Sequence, residues 1–213
     1  MEFQYIIFDM DGTLLDSIPY WKRLARNYME DLKVTVPDDL DERLTAMSVH
    51  EAGRWLKKEY YLNKTAEEIT RELCGRIEKN YAEDIMPKPG VRAWLSYLKE
   101  KGIPMCVATA SSAALGKQAL LRNGLLSYFD FMVDCGMVGV GKTNPAVYHL
   151  AAEKFGGKAA ACAVAEDAAF ALKTAREAGF FTIGVYESSE PDQESVRKYS
   201  DKYVKNFEEL IYA

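Results

Sequence analysis

The apolar run Tyr5-Ile6-Ile7-Phe8 leads directly into Asp9-Met10-Asp11-Gly12-Thr13-Leu14, and no other segment narrows the fold as far. An unbroken apolar run of this length reads as a strand buried on both faces, the kind found in parallel sheets. Two carboxylates at i and i+2 past the end of such a strand repel each other. A cation relieves that repulsion, and Mg²⁺ is the usual partner of hard oxygen ligands beside phosphate. Gly12 permits a sharp turn and brings backbone N–H groups close to a bound group. Strand, acidic turn and following helix together point to a carboxylate nucleophile beside a metal, where open α/β sheets bind their ligands. A plain Asp-Gly turn would account for Asp11-Gly12 and would leave Asp9 unexplained.

Beyond residue 103 the chain alternates. Apolar runs at Ile103–Ala108, Phe129–Val133, Ala161–Ala165 and Phe181–Val185 are separated by helical patterns, and a short strand at Tyr203-Val204 precedes a terminal helix. Such alternation predicts right-handed crossovers and a doubly wound, Rossmann-like parallel sheet of the α/β class. Residues 18–87 offer the first strand no partner. They read as amphipathic helices over 18–31, Val49–Tyr61 and Thr65–Tyr81, with Thr65 as an N-cap ahead of Glu67-Glu68. Pro87-Lys88-Pro89-Gly90 ends this block before a helix over Val91–Lys101. The predicted organisation is a core of residues 1–17 and 88–213 carrying a helical insertion at 18–87.

A 213-residue chain, 48% hydrophobic, can bury a sizeable core, and no window approaches the ~20 apolar residues of a membrane span. A net charge of −5 argues against nucleic acid, which needs clustered Lys and Arg. Cys74, Cys106, Cys135 and Cys162 are scattered without zinc spacing. With a strand starting almost at once in place of a leader, they predict reduced thiols in a cytoplasmic protein. The expected assembly is a monomer or weak dimer, with no membrane or nucleic-acid partner.

Three more strand ends carry chemistry. Val107-Ala108-Thr109-Ala110-Ser111-Ser112 offers hydroxyls and amides at a helix start, which suits phosphate, although Ser and Thr there also serve as plain caps. Lys142 follows a glycine-lined loop, Gly136–Gly141, and could neutralise a phosphoryl group; alone it reads as an exposed loop lysine. Ala165-Glu166-Asp167 adds two carboxylates to the same sheet edge, where Asp167 could also cap the next helix.

In this order the motifs resemble the haloacid dehalogenase superfamily of phosphotransferases over nearly the whole chain: Asp9-x-Asp11-Gly12-Thr13, Thr109, Lys142 before Thr143-Asn144-Pro145, and Glu166-Asp167. The insertion resembles an α-helical C1 cap, and the spacing looks like the β-phosphoglucomutase and phosphoglycolate-phosphatase branch. The resemblance implies that Asp9 attacks phosphorus and forms an aspartyl-phosphate, while Asp11 serves as acid and then base. It implies Mg²⁺ held by Asp9, the Asp11 carbonyl and Asp167, with Glu166 as a further ligand or one step removed. Thr109 and Lys142 would hold the phosphoryl oxygens, with the Ala110-Ser111 amides completing the cradle. Thr143, Ala146, Ala168 and Ala171 depart from residues common in the branch without touching these groups.

The implied reaction is hydrolysis of a small phosphorylated metabolite. Dehalogenation has no leaving alcohol for Asp11 to protonate. A phosphonatase would need a cap lysine, and Lys57 and Lys58 fall on a solvated helix face. The rival is a mutase. There the resemblance places a His and an Arg where this chain has Trp21 and the Val49-His50 region, so transfer to water is favoured. A catalytically silent phosphate-binding protein is the remaining alternative. Tyr20, Trp21, Met47, His50 and Trp55 are the expected inward cap residues, with Trp21 and His50 as specificity candidates and the two tryptophans equally suited to cap core. If the cap closes on its two linkers, Trp21→Ala lowers turnover of the preferred metabolite far more than that of a small generic ester. Equal losses on both substrates, with a lower unfolding temperature, would make Trp21 packing only.

Overall fold

The computed structural model describes residues 3–44 and 47–212. Met1, Glu2 and Ala213, at the ends of the expected core, and Thr45 and Ala46, inside the expected insertion, lie outside the described residues. The chain divides into two compact units, Met1–Asp16 with Met86–Ala213, and Ser17–Ile85.

The larger unit is built on six strands: β1 (Tyr5–Phe8), β2 (Met105–Thr109), β3 (Phe131–Asp134), β4 (Cys162–Glu166), β5 (Phe181–Val185) and β6 (Lys202–Val204). They form one sheet in the order β3-β2-β1-β4-β5-β6, every pair parallel. This is a doubly wound Rossmann-like α/β sheet, and the strand order reverses at β1, where such sheets place their ligand crevice. Ile6, Ile7 and Phe8 are fully buried because β1 has strands on both sides and packed layers on both faces. Cys106 and Cys162 are buried core thiols, and all four cysteines are free.

After α1 (Ile18–Asp31), α2 (Leu40–Leu44), α3 (Val49–Tyr60) and α4 (Ala66–Glu83) of the smaller unit, helices α5 (Val91–Glu100), α6 (Ala113–Arg122), α7 (Ala146–Lys154), α8 (Ala169–Glu177) and α9 (Gln193–Lys198) connect these strands. β4 starts one residue later than its apolar run, and β2 and β3 start two residues later. Ile103 N–H donates to Leu98 O, closing the turn after α5, and Phe129 N–H donates to Leu126 O, closing a 3₁₀ turn. The expected terminal helix is a 3₁₀ turn, Phe207–Leu210, capped by Asn206 and Glu209. Gly90 is where this turn meets the chain, at φ 79°. A Cβ there would collide with Asn206 Oδ1 and lie 2.7 Å from Glu208 N and 3.0 Å from Phe207 N. Gly90→Ala is therefore expected to cost about 1–3 kcal/mol, read as a lowered unfolding temperature with catalytic residues untouched. Unchanged stability would mean that the turn yields freely.

The smaller unit consists of α1 (Ile18–Asp31), α2 (Leu40–Leu44), α3 (Val49–Tyr60) and α4 (Ala66–Glu83). Leu24, Ala25, Tyr28 and Met29 line the inner face of α1, and Ile69, Leu73, Ile77 and Tyr81 that of α4. Ser48 and Thr65 form capping boxes with Glu51 and Glu68, which explains where α3 and α4 start. Among the described residues no helix is long and apolar enough to cross a membrane.

Candidate active site

The end of β1 is pinned before its turn begins, because Asp9 N–H donates to Ala165 O at 2.9 Å. Gly12 then adopts φ 85°, a left-handed conformation that costs glycine nothing, and Leu14 and Leu15 both donate to Met10 O. This tight turn buries Thr13, whose Oγ1 donates to Asp167 Oδ1 at 2.9 Å. Asp167 follows β4, and its N–H donates to Glu166 Oε2 at 3.2 Å. Glu166 Oε1 accepts from Tyr148 Oη at 2.9 Å and from Lys142 Nζ, which also donates to Asp9 Oδ1. Asp9, Lys142, Glu166 and Asp167 are all buried, and carboxylate oxygens of Asp9, Glu166 and Asp167 lie within 4.8 Å of one another.

Three buried carboxylates thus face one ammonium. Burial, then the charges of Glu166 and Asp11, push the Asp9 carboxyl from 3.8 up to about 7 against the opposing pull of Lys142. Burial, then Asp9 and Glu166, push the Asp167 carboxyl well above its ordinary value. Burial alone would depress the Lys142 ammonium, but the charges and hydrogen bonds of Asp9 and Glu166 outweigh it and hold it protonated. Burial and the Glu166 charge likewise keep the Tyr148 hydroxyl protonated, as a donor. One positive charge does not balance this cluster. Its all-oxygen donor set fits a hard divalent cation, with Asp9, Glu166 and Asp167 as the side chains able to hold it.

Beside the trio, Thr109 closes β2 and is fully buried, its Oγ1 accepting from Ser111 N–H at 3.0 Å. Ser111 Oγ donates to Asp11 Oδ2 at 2.6 Å, so the Asp11 side chain is held on the β2 loop, outside the close carboxylate group. Ala110 is exposed between them. Only Ser112 acts as the plain cap, accepting from Ala114 N–H.

Asp167 does not cap the following helix. Its side chain is taken by Thr13, and Ala169 N–H at the start of α8 meets Glu190 Oε2 instead, at 3.4 Å. Ala168 has no side chain with which to cap, and a carboxylate from the loop after β5 fills the role. Lys142, which alone reads as a surface lysine, is buried. Sequence pattern alone misses Tyr148: it lies on α7 among Val147, Ala151 and Ala152, where helical spacing marks it only as core.

In the helical unit Trp21 Nε1 donates to Tyr81 Oη at 3.0 Å, and Trp21 also lines a cavity of about 370 Å³ with Leu24, Leu44, Met47, Val49 and Leu73. His50 is exposed on α3. Trp55 packs edge-on against Tyr60. Lys57 Nζ donates to Lys64 O at 2.7 Å, closing the loop after α3, and Lys58 is exposed.

A family model described as haloacid dehalogenase-like hydrolase matches residues 3–179. The chain is 29% identical over 184 residues to a phosphorylated carbohydrates phosphatase of Thermotoga maritima, covering 86% of this chain and 85% of that protein. It is 28% identical over 193 residues to the β-phosphoglucomutase of Bacillus subtilis, covering 84% and 82%. A crystal structure from Thermotoga maritima, provisionally described as a β-phosphoglucomutase, superposes with a TM-score of 0.86 at 26% identity, covering 98% of this chain and 97% of the other.

Proposed function

Because the chain belongs to the haloacid dehalogenase-like hydrolase family, we propose that it is a Mg²⁺-dependent phosphatase acting on a small phosphorylated carbohydrate through an aspartyl-phosphate. The observation that carries this reading is the Lys142 ammonium bridging Asp9 and Glu166 beside Asp167. It puts a carboxylate, a fixed cation and a place for a second cation within one buried cluster. A divalent ion held by Asp9, Glu166 and Asp167 would neutralise charge and polarise a phosphoryl oxygen.

The residues then divide the work. An Asp9 oxygen forms a bond to phosphorus as the ester P–O bond breaks, and Asp11 supplies a proton to the departing alkoxide. Water then attacks the same phosphorus, giving its proton to Asp11, and the Asp9–phosphorus bond breaks to release phosphate. Lys142 and Thr109 stabilise the charge on the phosphoryl oxygens in both steps. Ser111 holds Asp11 Oδ2 on the β2 loop, which supports a pre-set acid and base.

Phosphorylated carbohydrates are the proposed substrates because the Thermotoga maritima relative is named for them. The Bacillus subtilis relative makes a mutase the second reading. Against it, the Trp21 side chain is engaged by Tyr81 and has no charge to hold a second phosphate. A panel of sugar phosphates incubated with Mg²⁺ and assayed for released phosphate tests the proposal. Isomerisation of a sugar phosphate faster than phosphate release would favour the mutase, and no turnover of any ester would favour a silent binder.

A further inference from the structure

Tyr148 has a hydroxyl where packing asks for none. It is fully buried in an apolar cluster with Val147, Ala151, Ala152 and Phe180, and a phenylalanine would fill the same space without desolvating an oxygen. The hydroxyl is accommodated because Tyr148 Oη donates to Glu166 Oε1 at 2.9 Å. That oxygen also accepts from Lys142 Nζ, and Lys142 Nζ stands 5.8 Å above the centre of the Tyr148 ring. One aromatic side chain therefore supports Lys142 from below and shares its acceptor.

We propose that Tyr148 is a positioning residue that keeps Lys142 available to the phosphoryl group by sharing Glu166 Oε1. An ammonium has three N–H donors. Two of those on Lys142 go to Asp9 and Glu166. A phosphoryl oxygen has to draw on the third and to compete with both carboxylates for the cation. An acceptor with two donors binds each less strongly than an acceptor with one, so the Tyr148 hydroxyl loosens the Lys142–Glu166 pair. Without it, Glu166 holds Lys142 closer and the phosphoryl group loses part of its counter-charge. Glu166 Oε2 cannot compensate, since it is directed to Asp167 N–H. This rests on the reading of Lys142 as the phosphoryl-holding cation.

Tyr148→Phe keeps the ring and removes the shared hydrogen bond. Binding of inorganic phosphate, followed by calorimetry in excess Mg²⁺, is expected to weaken about three- to tenfold, the scale of one buried hydrogen bond. KM for an accepted ester rises in parallel while kcat stays within about twofold. In a Glu166→Gln background the same substitution changes phosphate affinity by less than about twofold, because the shared oxygen is no longer a carboxylate. Unchanged phosphate affinity with a lowered unfolding temperature would reduce Tyr148 to packing. An equal loss in both backgrounds would also overturn the proposal, since the effect would not pass through Glu166. If Tyr148→Phe does not fold, 3-fluorotyrosine placed at position 148 alone strengthens the hydroxyl as a donor and must tighten phosphate binding; no change refutes the role. Phosphate binding is read without turnover. Wild-type protein that binds phosphate and hydrolyses no ester would fail the phosphatase reading and leave the Tyr148 comparison intact.

Discussion

Asp9→Asn is expected to lower turnover of any accepted phosphate ester by ~10³-fold or more, the scale of losing covalent catalysis. The amide keeps the shape of the side chain and cannot attack phosphorus. Loss of fold does not explain the same result, because the substitution relieves a repulsion. The Asp9 carboxyl is pushed up to about 7 by burial and by Glu166, so its charged form is disfavoured in the folded protein. At pH 8 without metal that cost is fully present in the wild type and absent in Asp9→Asn. The unfolding temperature of the variant in chelator should match or exceed that of the wild type. Near-normal turnover in a carefully purified variant would remove Asp9 as nucleophile. A collapse in stability would show that the Lys142–Asp9 contact outweighs the repulsion.

Removing the metal is expected to abolish activity, with Mg²⁺ restoring it and Ca²⁺ failing to, since its larger and looser coordination misplaces an in-line attack. The same site makes stability depend on pH in a definite direction. With a folded pKa of about 7 against an ordinary 3.8, Asp9 binds more protons in the folded state across that interval. Metal-free stability therefore falls as pH rises from about 4 to 7. Asp167, raised by burial, acts in the same direction. Lys142, raised above an ordinary lysine, stays charged in both states throughout this window and adds no slope. Mg²⁺ held by these oxygens would compete with the proton and bind only the folded protein, so its stabilisation should be larger at pH 7 than at pH 5. Full activity in excess chelator, or a Mg²⁺ effect on unfolding that ignores pH, would refute the site.

Much of the fold was legible because parallel sheets write themselves as apolar runs. Ile6, Ile7 and Phe8 are buried on both faces, and every later strand sits within two residues of its run. What the runs hid were their ends. Ile103 and Phe129 are as apolar as strand residues and are spent on turns, since hydrophobicity does not say where an N–H finds its acceptor. Short α2 and α9 escaped for want of length over which to show a period. At the candidate site, the acidic pairs stood out by charge at strand ends, and Lys142, alone an ordinary loop lysine, stood out only through its place in the order of the motifs. Their pairing did not: that Asp11 turns to Ser111, that Glu190 serves α8 in place of Asp167, and that Tyr148 reaches Glu166 are contacts across 100, 21 and 18 residues of chain. No local pattern encodes them.

The proposed mechanism requires a phosphoryl group carried on Asp9. Wild-type protein mixed with an accepted sugar phosphate and Mg²⁺, quenched in acid within a turnover and digested, is expected to show one phosphoryl group on the Asp9-bearing peptide by mass spectrometry. The label should decay on the timescale of phosphate release and be absent from Asp9→Asn. Steady phosphate release with no covalent phosphoryl group at any time, or with the group on another residue, would contradict it.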